Sequence, residues 1–215
     1  MSDLDMDQVE IARSPFAEAF EMFRKNHAAV AGLVVLILIA IGGLVGPFLY
    51  STDPYEMVWA PFSPPGDEGF LFGTDYLGRD LVSMLINGAR VSIAIGLSAA
   101  LVTVFIGITV GALAGFYRGI IEEILMRMTQ FFQVLPTLLF SMVIVALFGA
   151  SLPMITLAIG LVRWPAVARI TRSEFMRIRE LEYVMAARAS GTSNMKLIFR
   201  VILPNALPPI IVQAA

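Results

Sequence analysis

Cysteine is absent from the chain, which excludes disulfides and thiolate metal sites. Histidine occurs once, at His27, and a single imidazole cannot build a histidine metal cluster. Charge is scarce: 15% of residues are Asp, Glu, Lys or Arg, where a soluble domain carries about a quarter. No glycine loop ends in the Lys-Ser/Thr pair of a nucleotide phosphate loop. The remainder is apolar, with 58% hydrophobic residues and a mean hydropathy of +0.80. Those values describe an integral membrane protein. The formal net charge of −2 says little as a total, because its distribution along the chain matters more.

That distribution divides the chain. Residues 1–27 form an N-terminal segment whose first thirteen residues are acidic and expected to be poorly ordered. No basic region precedes an early apolar core, so no cleavable signal peptide is expected and the first apolar run should stay as an anchor. Ser14-Pro15 reads as an N-cap and first helical position. Phe16, Phe20 and Phe23 then share a helical face, as in a helix lying on a membrane surface. The alternative is a plain continuation of the first span. Residues 28–50 are uncharged and long enough to cross a bilayer, and Arg24 and Lys25 just before them place the N-terminus in the cytoplasm.

Residues 51–90 are proline-rich and dominated by Asp53, Glu56, Asp67, Glu68, Asp75 and Asp80, which suits the external side. Within them lies Gly73-Thr74-Asp75-Tyr76-Leu77-Gly78-Arg79-Asp80. Two carboxylates are too few for a calcium cage. A capped turn entering an amphipathic helix, with Leu81, Leu85 and Met84 toward apolar surface, fits better. A second span, Val91 to Phe116, is rich in small residues and should pack against protein backbone to backbone. Arg118, Glu122, Glu123 and Arg127 mark a short return loop. A third span runs from about Phe131 to Phe148, kinked at Pro136. A fourth, Leu152 to about Ala168, is interrupted by Arg163, Trp164 and Pro165. Arg163 is read there as a snorkelling residue near a span end in preference to a translocation charge.

Eight of the fifteen basic residues fall between Arg163 and Arg200, which places that stretch in the cytoplasm. Glu174, Glu180 and Glu182 interleave the charges, which argues against a nucleic-acid surface. Inside this stretch, Met185, Ala186, Ala187 and Ala189 favour helix, and Gly191 can take a positive φ and end it. Ser193 can cap a second helix carrying Met195, Ile198, Phe199 and Ile202 at helical spacing, and Pro204 is expected to break it. Two short helices at a glycine elbow result, with small residues open to close approach. A plain connecting loop is the alternative. The last apolar run begins near Leu207 and ends too soon to cross a bilayer, so a truncation in the fifth span is expected.

The elbow resembles the EAA motif of binding-protein-dependent ABC transporter permeases. Ala186, Ala187, Gly191, Leu203 and Pro204 match in register. Met185 stands where the motif has glutamate, and Val201 where it has isoleucine. Gln130 stands near a position that is often acidic in relatives. Tyr183, Val184 and Arg188 resemble the dipeptide, oligopeptide and nickel branch, as does the run from Gly73 to Ile93. The resemblance covers Ser14 to Ala215. It implies an all-α, polytopic, type I ABC-importer transmembrane domain of MetI-like fold, with a core at 91–215 and a coupling loop at about 169–204.

The resemblance also implies a role: an inner-membrane permease subunit for small peptides or a related solute, with no cofactor and no catalysis of its own. Its implied partners are a second, related permease, two ATPase subunits and an external solute-binding protein. Ala186, Ala187, Arg188, Gly191, Leu203 and Pro204 would serve the ATPase contact. Gly73, Asp75, Gly78, Arg79 and Asp80 would lie on the binding-protein side. Two other classes are weighed against this. An ion-coupled secondary transporter would place ionisable residues mid-membrane, and the first three spans carry none. A membrane-embedded hydrolase would need a nucleophile with a histidine or acidic partner inside the bilayer, and His27 lies at its edge.

Overall fold

The computed structural model describes residues 15–214. The acidic residues 1–13, the expected cap Ser14 and the terminal Ala215 lie outside the described residues. The chain divides into two compact units, Met1–Val91 and Ser92–Ala215. Among the described residues the regular elements are helical, apart from one isolated bridge between Thr74 and Asp80.

In the first unit, α1 (Pro15–Lys25) and α2 (His27–Leu49) are separate helices. Asn26 between them is extended (φ −89°, ψ 94°), and its side-chain oxygen accepts from the Ala29 amide at 3.1 Å. That cap starts a new helix, so α1 is not a continuation of the first span. Late in α2, Gly43 and Gly46 allow the start of α3 to approach. A β-carbon at Gly46 would lie 2.7 Å from the Ile86 side chain, and one at Gly43 would lie 2.9 Å from the Arg90 amide nitrogen. Residues 51–80 form a loop holding a single 3-10 turn, Asp67–Gly69.

Helix α3 (Leu81–Tyr117) is continuous. The expected amphipathic helix and second span are therefore one element, because neither a proline nor a cap interrupts Gly88-Ala89-Arg90. Arg118, at φ 58°, separates it from α4 (Gly119–Val134). Helix α5 (Thr137–Phe148) follows, and α4 and α5 are bent by 87°. Pro136 thus breaks the third span instead of kinking it: it holds Leu135 extended, as a residue before proline prefers. Glu122, Glu123 and Arg127, expected in a loop, lie on α4.

Helix α6 (Leu152–Ile178) passes through Arg163, Trp164 and Pro165 and continues well beyond Ala168. Pro165 is buried within the helix, and the neighbouring Trp164 ring meets Phe132 at 5.4 Å between centroids. After α7 (Glu182–Ala189), α8 (Asn194–Ala214) is also unbroken, contrary to the expectation at Pro204. Its segment Leu197–Ile202 is a π-helix in which the Leu203 amide donates to the Ile198 carbonyl, five residues back. Pro204 then opens a fresh α-segment, where a missing amide hydrogen costs little, and Asn205 Nδ2 donates to the Val201 carbonyl at 2.7 Å. Among the described residues, four helices, α2, α3, α6 and α8, are long and apolar enough to cross a membrane, and the bent pair α4–α5 makes a fifth if counted as one.

The second unit is organised on a seam between α3 and α6. Gly107, Gly111 and Gly115 recur every fourth residue on one face of α3. A β-carbon at Gly107 would sit 2.6 Å from Val167 Cβ, one at Gly111 2.6 Å from Thr171 Cβ, and one at Gly115 2.7 Å from Phe175 Cβ. Gly160 on α6 answers from the other side, 2.6 Å from Val102 by the same measure. Beyond the seam, Phe116, Phe175, Ile178, Leu197, Ile202 and Ile210 form a core shared by α3, α6 and α8. Replacing Gly111 with Leu is expected to lower the melting temperature of the detergent-solubilised protein, since no rotamer avoids the α6 backbone. Gly96→Leu, at a position with open space on the same helix, should leave it unchanged or raise it, because leucine is the better helix former.

Candidate functional site

Helix α7 is short and ends in a locally determined turn. The Gly191 amide donates to the Arg188 carbonyl at 3.0 Å and the Thr192 amide to the Ala187 carbonyl at 3.1 Å. That is the bonding pattern of a Schellman cap, and it requires the left-handed conformation that Gly191 adopts at φ 81°. Ser190 adds a bond from its hydroxyl to the Ala186 carbonyl at 2.9 Å. Ser193 begins α8 but makes no side-chain cap bond. A β-carbon at Gly191 would meet nothing within 4 Å, so the glycine is required there for its backbone alone.

The elbow is exposed on one side and anchored on the other. Ala186, Arg188, Ser190 and Gly191 are exposed and Ala187 is half-buried. Leu181, Tyr183, Met185, Met195 and Phe199 are the large apolar side chains left exposed around it. Val184 is the anchor, only 1% exposed and packed within the α3–α6–α8 core. Leu203 and Pro204 lie apart from the turn, on α8, where Leu203 packs against that same core.

Two further contacts tie the elbow to α3, and the sequence reading missed both. Arg179, at the end of α6, donates through a guanidinium nitrogen to the Phe116 carbonyl at 2.6 Å, satisfying one of the orphan carbonyls at the end of α3. The Arg188 guanidinium carbon lies 5.4 Å from the centroid of the Phe116 ring, within cation–π range. Arg118 and Arg179 flank Glu180 at 3.5 and 3.3 Å. The available signal was the clustering of arginines after Ile178, but nothing local pairs them with a residue on α3.

The loop motif is a self-contained turn. Asp75 Oδ1 accepts from the amides of Leu77 at 2.7 Å and Arg79 at 2.9 Å. Asp80, fully buried, caps α3 by accepting from the amides of Val82 at 3.1 Å and Ser83 at 3.3 Å. The Thr74 hydroxyl donates to the Ala60 carbonyl at 2.6 Å. Gly73 and Gly78 have positive φ, and a side chain on either would run into the carbonyl of Ser63 or Trp59 respectively. The five motif residues are thus brought together, with both carboxylates turned toward backbone amides. Large apolar side chains are exposed on this loop, Tyr55, Met57, Trp59, Phe62, Leu71, Phe72 and Tyr76, interspersed with the exposed carboxylates of Asp53, Glu56, Asp67 and Glu68.

Apolar helices that can cross a bilayer several times, packed on a glycine seam and carrying an exposed, anchored elbow, define a polytopic membrane subunit. Residues 107–215 match the family described as binding-protein-dependent transport system inner membrane component, and residues 14–65 match the N-terminal TM domain of oligopeptide transport permease C. The di/tripeptide transport system permease protein of Pseudomonas aeruginosa is 39% identical over 208 residues, covering 94% of this chain and 68% of its own length. The dipeptide permease of Haemophilus influenzae is 33% identical over 207 residues, covering 94% and 70%. The oligopeptide permease of Escherichia coli K12 is 36% identical over 205 residues, covering 94% and 68%. The chain belongs to the binding-protein-dependent transport permease family: it is a multi-pass inner-membrane permease subunit of an ABC importer, with the MetI-like fold. The ion-coupled alternative is not favoured.

Arg179→Met is expected to leave the Phe116 carbonyl without its partner, at a cost of about 1–3 kcal/mol. Amide hydrogen exchange should quicken in α7 and in the last turn of α3, and stay unchanged in α2.

Proposed function

We propose that this permease carries small peptides or a closely related solute across the membrane, paired with a second, non-identical permease. Two ATPase subunits drive it from the cytoplasm, and an external binding protein delivers the solute. The observation that carries this reading is the elbow: a rigidly capped turn with a small-residue surface, anchored by Val184 and by the Arg188–Phe116 contact. The relatives' transport of di-, tri- and oligopeptides supports the solute class. The chain hydrolyses nothing itself. ATP binding to its partners favours one of two permease conformations, and the elbow transmits that preference. Ala186, Ala187, Arg188 and Gly191 meet the ATPase, while Leu203 and Pro204 fix the direction in which α8 leaves the elbow.

The N-terminal segment 1–27 is cytoplasmic, 28–50 is the first span, and 51–90 faces the binding protein, which meets the loop's exposed apolar rim; Asp75 and Asp80 shape the turn beneath it. The basic residues from Arg169 to Arg200 support this orientation. In a chain with no native cysteine, a membrane-impermeant thiol reagent added outside should label Asp67→Cys and leave Ser193→Cys unlabelled; the reverse would invert the topology.

Gly191→Val should leave membrane insertion intact while ATPase association and solute uptake both fall. The local strain of a side chain in the left-handed region is about 1–2 kcal/mol, comparable with a docking contact and too small to unfold the bundle. Gly191→Asn should be mildest, since asparagine tolerates that conformation. Normal association and uptake in the valine variant, at wild-type protein levels, would show that the elbow is only a connector.

A further inference from the structure

The continuity of α6 changes the position of Arg163. The side chain lies about 16 Å along the helix from Leu152, at about 1.5 Å per residue. The hydrocarbon core of a bilayer is about 30 Å thick. Arg163 therefore lies within the apolar part of α6, about 9 Å along the helix from Arg169, where the cytoplasmic basic stretch begins. Other arginines further along α6 have partners: Arg169 reaches Gln133 at 3.4 Å, and Arg172 is bonded to Glu122. Arg163 has no hydrogen bond or ion pair among the described residues.

It borders an open cavity. Arg163 lines a space of about 760 Å³ bordered by α3, the α4–α5 bend, α6 and α8. Thr103, Gln133, Thr137 and Gln213 contribute neutral hydrogen-bonding groups to the same wall. Arg163 is the only charged side chain in that lining, and no carboxylate offsets it. A guanidinium stays protonated in any protein setting and presents a planar fork that matches a carboxylate. An arginine left facing lipid at this depth would be strongly unfavourable, so it must face a polar path or a counter-ion.

We propose that Arg163 is a solute-binding residue of the translocation path, a fixed cation that receives the carboxylate of the transported solute within the membrane. The proposal rests on the permease reading above and adds a specific contact to it. The neutral groups around Arg163 provide alternative hydrogen bonds without trapping the solute, as passage requires.

The test uses the complete transporter in proteoliposomes, with loaded binding protein and cysteine-free partner subunits. Arg163→Gln should lower uptake of alanyl-alanine and alanyl-glutamate about tenfold, the factor of one lost charge-assisted hydrogen bond, with the permease pair still assembled. Arg163→Lys should retain most of the uptake. Arg163→Cys should react with water-soluble thiosulfonates. An aminoethyl reagent, which restores the positive charge, should recover uptake, and a methyl reagent should not. Wild-type uptake in Arg163→Gln would overturn the proposal, as would an Arg163→Cys thiol unreactive from water. Dissociation of the permease pair in Arg163→Gln would also overturn it, by showing that the arginine pairs with an acid of the partner. A wild-type transporter that takes up neither dipeptide would count against the solute class instead, and the thiol reactivity and pair assembly would still decide the site.

Discussion

Between α3 and α6 there is no room for a β-carbon at three successive contact points, and the second unit is built around that constraint. Gly107, Gly111 and Gly115 place the α3 backbone directly against Val167, Thr171, Arg172 and Phe175. In lipid there is little hydrophobic drive to hold two apolar helices together, so close packing must do so. The seam supplies that contact and fixes the axial register of the two helices. A slide by one residue would replace glycine with Ile108 or Ala112 against the same backbone.

Everything at the elbow follows from that register. With α3 and α6 locked, the end of α3 comes beside the end of α6, where Arg179 can reach the Phe116 carbonyl and Arg188 the Phe116 ring. Val184 then inserts into the core that α8 completes. The short helix α7 is too small to be stable alone, and its order comes from these tertiary contacts and its Schellman cap. A force applied to the exposed side of the elbow therefore acts on α3, α6 and α8 together. This is the mechanical property that the proposed coupling to ATPase subunits would use.

Features determined by neighbours in sequence were legible before the structure. The Gly191 turn and the capped turn that leads into α3 depend on bonds within a few residues, and both were anticipated. Features determined across the chain were not. Pro165 and Pro204 look like helix ends in isolation, yet one is buried within a continuous helix and the other is held by a π-turn. Pro136 looked like a kink and is a break of 87°. The bond from Arg179 to Phe116 joins residues 63 apart in the chain, and no periodicity reports such a pair.

The elbow and the seamed bundle are expected to move as one body. Spin labels at Ser190, on the elbow, and Leu152, at the far end of α6, measure this directly in the assembled transporter, because both positions are exposed. The electron–electron distance should be the same with and without ATP trapped in the ATPase subunits, even as the distance from Ser190 to a label in the second permease changes. A Ser190–Leu152 distance that shifts or broadens on ATP binding would contradict the account, showing that the elbow flexes against the spans instead of carrying them.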